Sequence, residues 1–292
     1  MLKKIIQILM ITAAMFAVLA ILLVAAFELF LPKQSLKNNL LNQIRGYTMR
    51  QAQIGGFSAS IITGIEVTDF ALSNGIDFRS GTLLKVKKVT FIPEIWPMFR
   101  GVAKVNGLII DSPELNINKK EFRLKDVIDS IEKMKHPGHP RKYAPLIFMM
   151  SEFRVNDGTI NFTDDKSISV NGVNILVRGF SRKRPSKADL SFRIFGKKGG
   201  VDVDSDLVLD ISKDRIIVEN LKVSGPGNVM NITGRITELD NPLFDLRLKA
   251  QNNSINGIAG DLLNLPQIEY GNGSPKFIIT GTFDNIRIKE WK

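Results

Sequence analysis

Cysteine occurs nowhere in the 292 residues, which excludes disulfides and thiolate metal sites outright. The fold must therefore be held by packing and backbone pairing alone. Histidine is nearly as scarce: His136 and His139 each stand directly before a proline in the linker-like stretch from His136 to Tyr143. No other histidine or cysteine exists to complete a metal site with them. Catalytic signatures are missing as well, with no nucleophile elbow, no phosphate-cradling glycine loop and no zinc-binding helix motif. The expectation is a protein that is not an enzyme and uses neither metal nor cofactor. Acidic residues are outnumbered, 29 against 40 Lys and Arg, for a net charge of +11. Such a balance suits an acidic partner or simply a solvated surface.

What the sequence does have is one long apolar run. Ile8 to Phe27 contains no charge, and its only hydroxyl is Thr12. At 1.5 Å per residue a helix of that length spans about 30 Å, the thickness of a bilayer's hydrocarbon core. Lys3 and Lys4 precede it, Glu28 follows, and Pro32 marks its expected end. A cleaved signal peptide is the competing reading, with Val24-Ala25-Ala26 as the cleavage site. The full run favours an uncleaved anchor, with Ile8, Phe16, Leu22 and Phe27 as anchor residues and the rest of the chain exported. Beside a membrane, anionic lipid headgroups are a nearer partner for the positive charge than nucleic acid, which is not expected to bind.

The remainder divides into 33–120, an N-terminal β region with a short leading helix; 121–146, an amphipathic helix and Pro/Gly linker; and 147–292, a C-terminal β region; 1–32 is the cytoplasmic tip and anchor. Leu36, Leu40, Leu41 and Ile44 recur at helical spacing, with Gly46 as a stop. Leu124, Val127, Ile128, Ile131 and Met134 form a second helical stripe, and Ile255 to Leu265 a third helical candidate. Elsewhere the period is two. Ile65 and Val67 are followed by Phe70 and Leu72, a slip of one residue that predicts a bulged strand. Val102 to Ile110 and Leu115 to Ile117 read as separate strands, and Asn156-Asp157-Gly158 as the turn of a hairpin. Val201, Val203, Leu207 and Leu209 share one face of the clearest strand, with Asp202, Asp204 and Asp206 on the other. A calcium loop would need glycine and glutamate where Leu207 and Lys213 stand, so those aspartates read as a solvated face. Ile232 and Ile236, then Phe244, Leu246 and Leu248, then Phe277, Ile279 and Phe283 continue the apolar set, and Ile286 and Ile288 close it.

The predicted fold is mainly β: a membrane helix, then a long antiparallel sheet with one dry side and one or two short amphipathic helices. Two packed sheets or a barrel would fill that side. A strongly curved sheet too wide to fill itself would instead leave an elongated groove, and in a membrane-anchored chain that groove is a site for acyl chains. The candidate lining is Val201, Val203, Leu207, Leu209, Ile232, Ile236, Phe244, Leu246, Leu248, Phe277, Ile279 and Phe283.

The order of motifs resembles the AsmA-like family of bacterial envelope proteins over nearly the whole chain. The resemblance runs through Gly46-Tyr47-Thr48, Gly64-Ile65-Glu66-Val67-Thr68-Asp69-Phe70, Ile95 to Gly101 and Val105-Asn106-Gly107-Leu108-Ile109-Ile110-Asp111-Ser112-Pro113. It returns at Asn231-Ile232-Thr233-Gly234-Arg235-Ile236, Asn241-Pro242-Leu243-Phe244-Asp245-Leu246 and Ile279-Thr280-Gly281-Thr282-Phe283. It implies a single-pass anchor in the bacterial inner membrane and a periplasmic, groove-shaped sheet related to chorein-type bridge proteins. Phospholipid would be the partner, moved along the groove in support of outer-membrane lipid homeostasis. The alternative is a structural or assembly factor for outer-membrane proteins or envelope complexes that carries no lipid. About fifteen strands at ~4.8 Å would make a groove of only roughly 70 Å. Self-association, or another envelope protein at the edge of the C-terminal strand, is therefore also expected.

Overall fold

A computed structural model describes residues 32–60, 63–94, 104–117, 149–162, 168–181, 184–196, 199–225, 228–239, 241–251, 276–282 and 285–290. The anchor run with Ile8, Phe16, Leu22 and Phe27, the stripe at 124–134, the helical candidate at 255–265 and Phe283 lie outside these. Among the described residues no helix is long and apolar enough to cross a membrane.

The leading helix, α1, spans Lys33–Thr48. It runs past the expected stop at Gly46, because Thr48 Oγ1 donates back to the Ile44 carbonyl at 2.7 Å and the Met49 N–H reaches the Arg45 carbonyl at 2.9 Å. Met49 takes the left-handed conformation (φ 56°) that glycine was expected to supply.

Every strand then joins one open sheet in chain order: β1 (Ala52–Ser60), β2 (Gly64–Ser73), β3 (Thr82–Glu94), β4 (Lys104–Ile117), β5 (Met149–Phe162), β6 (Ser169–Phe180) and β7 (Ser186–Gly196). It continues through β8 (Gly199–Asp210), β9 (Arg215–Gly225), β10 (Asn228–Thr237), β11 (Leu243–Gln251), β12 (Lys276–Thr282) and β13 (Asn285–Glu290). β1 and β13 have one neighbour each, so the described sheet is neither a sandwich nor a closed barrel. Thirteen strands at ~4.8 Å make it roughly 58 Å long.

Two expectations need correction. The sheet is not antiparallel throughout: β4 and β5 run parallel, with Leu108 beside Phe153 and Ile117 beside Phe162. Alternation is the same for either direction, so it could not reveal this. Nor is Asn156-Asp157-Gly158 a hairpin, for Met149–Phe162 is one strand, as is Lys104–Ile117. The cause is a line of single left-handed residues inside strands. Asp69 (φ 51°), Ser112 (φ 46°) and Asp157 (φ 51°) lie in register across the sheet, with Lys87 of β3 between the first two. One left-handed residue rotates the chain after it and resets the alternation, so the inward set passes from Ile65 and Val67 to Phe70 and Leu72. It passes likewise from Leu108 and Ile110 to Pro113 and Leu115, and from Phe153 and Val155 to Ile160 and Phe162. Aspartate tolerates this conformation better than most residues, because its short polar side chain bonds locally. The slip in β2 is thus real, and it needs a bare neighbour. A Cβ on Gly55 would stand 2.8 Å from that of Asp69.

The hairpin ends are fastened by buried polar groups. Asp210, only 1% exposed, accepts hydrogen bonds from Ser212 Oγ at 2.7 Å and from Arg215 Nη2 and Nε at 3.1 and 3.2 Å. The Ser212 hydroxyl, with Arg215 behind it, holds that carboxyl below the usual carboxylate range. Ser73, fully buried, accepts from the Gln51 N–H and donates to the Gly75 carbonyl.

Candidate functional site

Register builds the site. Across β8 to β11, Val203 lies beside Val223, Val223 beside Met230, and Met230 beside Ala250. The next row holds Leu221, Ile232, Leu248 and Phe277, and the one after it Val218, Gly234, Leu246, Ile279 and Ile288. Ile216, Ile236, Phe244, Gly281 and Ile286 form a fourth. All the predicted lining residues but the undescribed Phe283 therefore stand on one face, Val201 beside Ile194 and Leu209 beside Ile216 included.

The same rows extend into strands that periodicity had left out of the lining. Leu207 is beside Ala188, Ala188 beside Val177, Val177 beside Phe153, Phe153 beside Leu108, Leu108 beside Phe91, and Phe91 beside Ile65. The signal was present in each strand, but the left-handed residues break its phase and hide its length. One apolar face thus runs from β2 to β13.

Its packing follows from the curved, single-layer sheet. Among the described residues no second layer covers this face, yet Val86, Val218, Met230 and Phe277 are each only 4% exposed. Val201, Val203, Met230, Leu248, Ala250 and Phe277 form one cluster, with Phe192, Leu221, Val223, Ile232, Ile279 and Ile288 packed against it. With same-face rows about 6.6 Å apart, four rows over the sheet's length make a footprint of roughly 1,200 Å².

The opposite face is polar and paired with itself. Glu66 meets Lys88 at 2.7 Å, Arg178 meets Asp189 at 2.8 Å, Arg193 meets Asp202 at 2.7 Å and Arg235 meets Asp245 at 3.1 Å, each across neighbouring strands. The hydrogen bond that Lys88 donates to the Glu66 carboxylate also raises the Lys88 ammonium above its ordinary range. A shallow depression of about 370 Å³ on this face is lined by Arg154, Asn156, Asn174, Asp189, Asp204 and Asp206, among others. Its groups are largely committed already: Asn156 donates to Asp111 at 2.6 Å, Arg154 pairs with Glu152 at 2.8 Å, and Asn174 donates to the Gly172 carbonyl. At roughly 0.2–1 kcal/mol each, exposed pairs of this kind do little for stability. Their effect is to make the two faces unlike, one wet and one dry.

Among the described residues no group of three or more His, Asp or Glu could hold a metal ion. No protein-family model matches this chain, and no curated protein sequence matches it.

Proposed function

We propose that this protein is a membrane-tethered carrier or conduit for phospholipid, held by its acyl chains along the apolar trough. The observation that carries the reading is the continuous apolar face from β2 to β13 of a sheet that is open at both strand edges and has no second layer among the described residues. Acyl chains bury that face, headgroups stay in water at its margins, and no covalent chemistry is required. The apolar run at Ile8 to Phe27 is read as the tether, and the resemblance to AsmA-like proteins supports a bacterial inner-membrane location with the sheet in the periplasm. Outer-membrane lipid homeostasis is the process this serves. The outer edge of β13 is where a further chain would extend the trough. Two copies joined there by antiparallel pairing would set Arg287 against Arg287 or Lys289, so charge favours a different envelope protein over a second copy.

The test is lipid carriage. The full chain, extracted in detergent and purified, should retain phospholipid detectable by mass spectrometry, at several molecules per chain. A chain that carries no more than an unrelated single-pass protein purified alongside it sinks the proposal and leaves a tethered scaffold.

A further inference from the structure

The helix α1 has an apolar stripe that is only partly covered. Leu36, Leu40, Leu41 and Ile44 are all half-buried, and the described element that α1 packs against most is β1. Lysines share that stripe. At 3.6 residues per turn, positions seven apart point almost the same way, which aligns Lys33 with Leu40 and Lys37 with Ile44. The far side carries Ser35, Asn38 and Asn42, with Arg45, seven residues after Asn38, as its one charge. A helix made only to pack on a sheet would place its lysines on that far side. No Asp or Glu occurs from Leu29 through Ile65 either.

Leucines and lysines on one face match a surface that is apolar below and anionic above. Lysine stems then lie along the apolar layer while their ammonium groups reach outward to phosphate. We infer that α1 docks flat on an anionic lipid surface through Leu36, Leu40 and Ile44, with Lys33 and Lys37 held by headgroup phosphates. This rests on the membrane-tethered reading, which sets α1 directly after the apolar run. The docked helix holds β1, the first strand of the trough, at headgroup level, where an acyl chain leaving the bilayer meets the apolar face.

The chain has no cysteine, so a single Leu40→Cys or Asn42→Cys variant takes one fluorescent label without competition. Each full-length variant is reconstituted into vesicles containing lipids with a nitroxide quencher in their acyl chains. In phosphatidylcholine–phosphatidylglycerol vesicles the Leu40→Cys label should be quenched and the Asn42→Cys label spared. Quenching should fall in phosphatidylcholine alone, in high salt, and in a Lys33→Gln/Lys37→Gln background, where the docked fraction drops by roughly fivefold per lysine. Leu36→Cys gives the same reading should Leu40→Cys disturb β1. Equal quenching with and without phosphatidylglycerol overturns the electrostatic docking, and absence of quenching in all vesicles returns α1 to β1. Sodium carbonate extraction tests the tether separately. A chain that floats with the vesicles but is never quenched defeats the docking alone, whereas a chain stripped off by carbonate defeats both.

Discussion

Ile232 and Thr233 are neighbours on β10 that face opposite ways, so one charge placed at each in turn tests the division of the sheet. Ile232 lies between Leu221 and Leu248 on the apolar side, whereas Thr233 is exposed and faces Arg247. Ile232→Asp removes a half-buried side chain, a loss of about 1–2 kcal/mol. It also sets a carboxyl where acyl chains would lie. Staying neutral at pH 7 against an ordinary pKa of about 3.9 costs that carboxyl about 4 kcal/mol, a factor of about a thousand in lipid occupancy at that point. The penalty falls to about tenfold at pH 5, because there the carboxyl lies only about one unit above its ordinary pKa. Thr233→Asp, with a guanidinium opposite, should cost less than about 1 kcal/mol at either pH. The assay is transfer of fluorescent phospholipid between vesicles by full-length protein, with circular dichroism to show that both variants keep the sheet. Ile232→Asp should block transfer at pH 7 and recover part of it at pH 5, while Thr233→Asp transfers as the parent does. A folded Ile232→Asp protein that transfers normally at pH 7 would refute the reasoning, since lipid would then be travelling elsewhere.

Two further outcomes follow from the hairpin ends and the glycines. The Asp210 carboxyl is held below its ordinary range, so its contribution is present above the unfolded-state pKa and lost as pH falls through the folded one. Thermal unfolding of Asp210→Asn should therefore show a shallower loss of melting temperature than the parent as pH is lowered from about 5 to 2. Gly234 sits at φ 141°, and a Cβ there would fall 2.2 Å from the Asp245 carbonyl oxygen. Gly234→Ala should destabilise the sheet by about 2 kcal/mol or more in urea titration, and a neutral effect would mean that β10 and β11 part easily.

How far this architecture could be read in advance differs from strand to strand. β8 was legible because nothing interrupts it: Val201, Val203, Leu207 and Leu209 alternate with aspartates, and the pairing with β7 and β9 puts them where alternation says. β5 was not, because Asn-Asp-Gly signals a left-handed residue whether the chain then reverses or merely rotates. Only the partners decide, and β4 and β6 both continue past Asp157. The parallel step from β4 to β5 is a relation between distant residues, and no local pattern encodes it. The candidate lining suffered in the same way. Its second half was visible as simple alternation, while its first half lay behind Asp69, Ser112 and Asp157.

That one parallel pair also settles an arithmetic of direction. In a strictly alternating sheet of thirteen strands the last would point the same way as the first, and the backbone would depart from the margin opposite its entry. Repeating one direction at β4 and β5 reverses this, so the backbone enters β1 and leaves β13 along a common margin. Whatever is joined to either flank of the described sheet is thereby hung from one side.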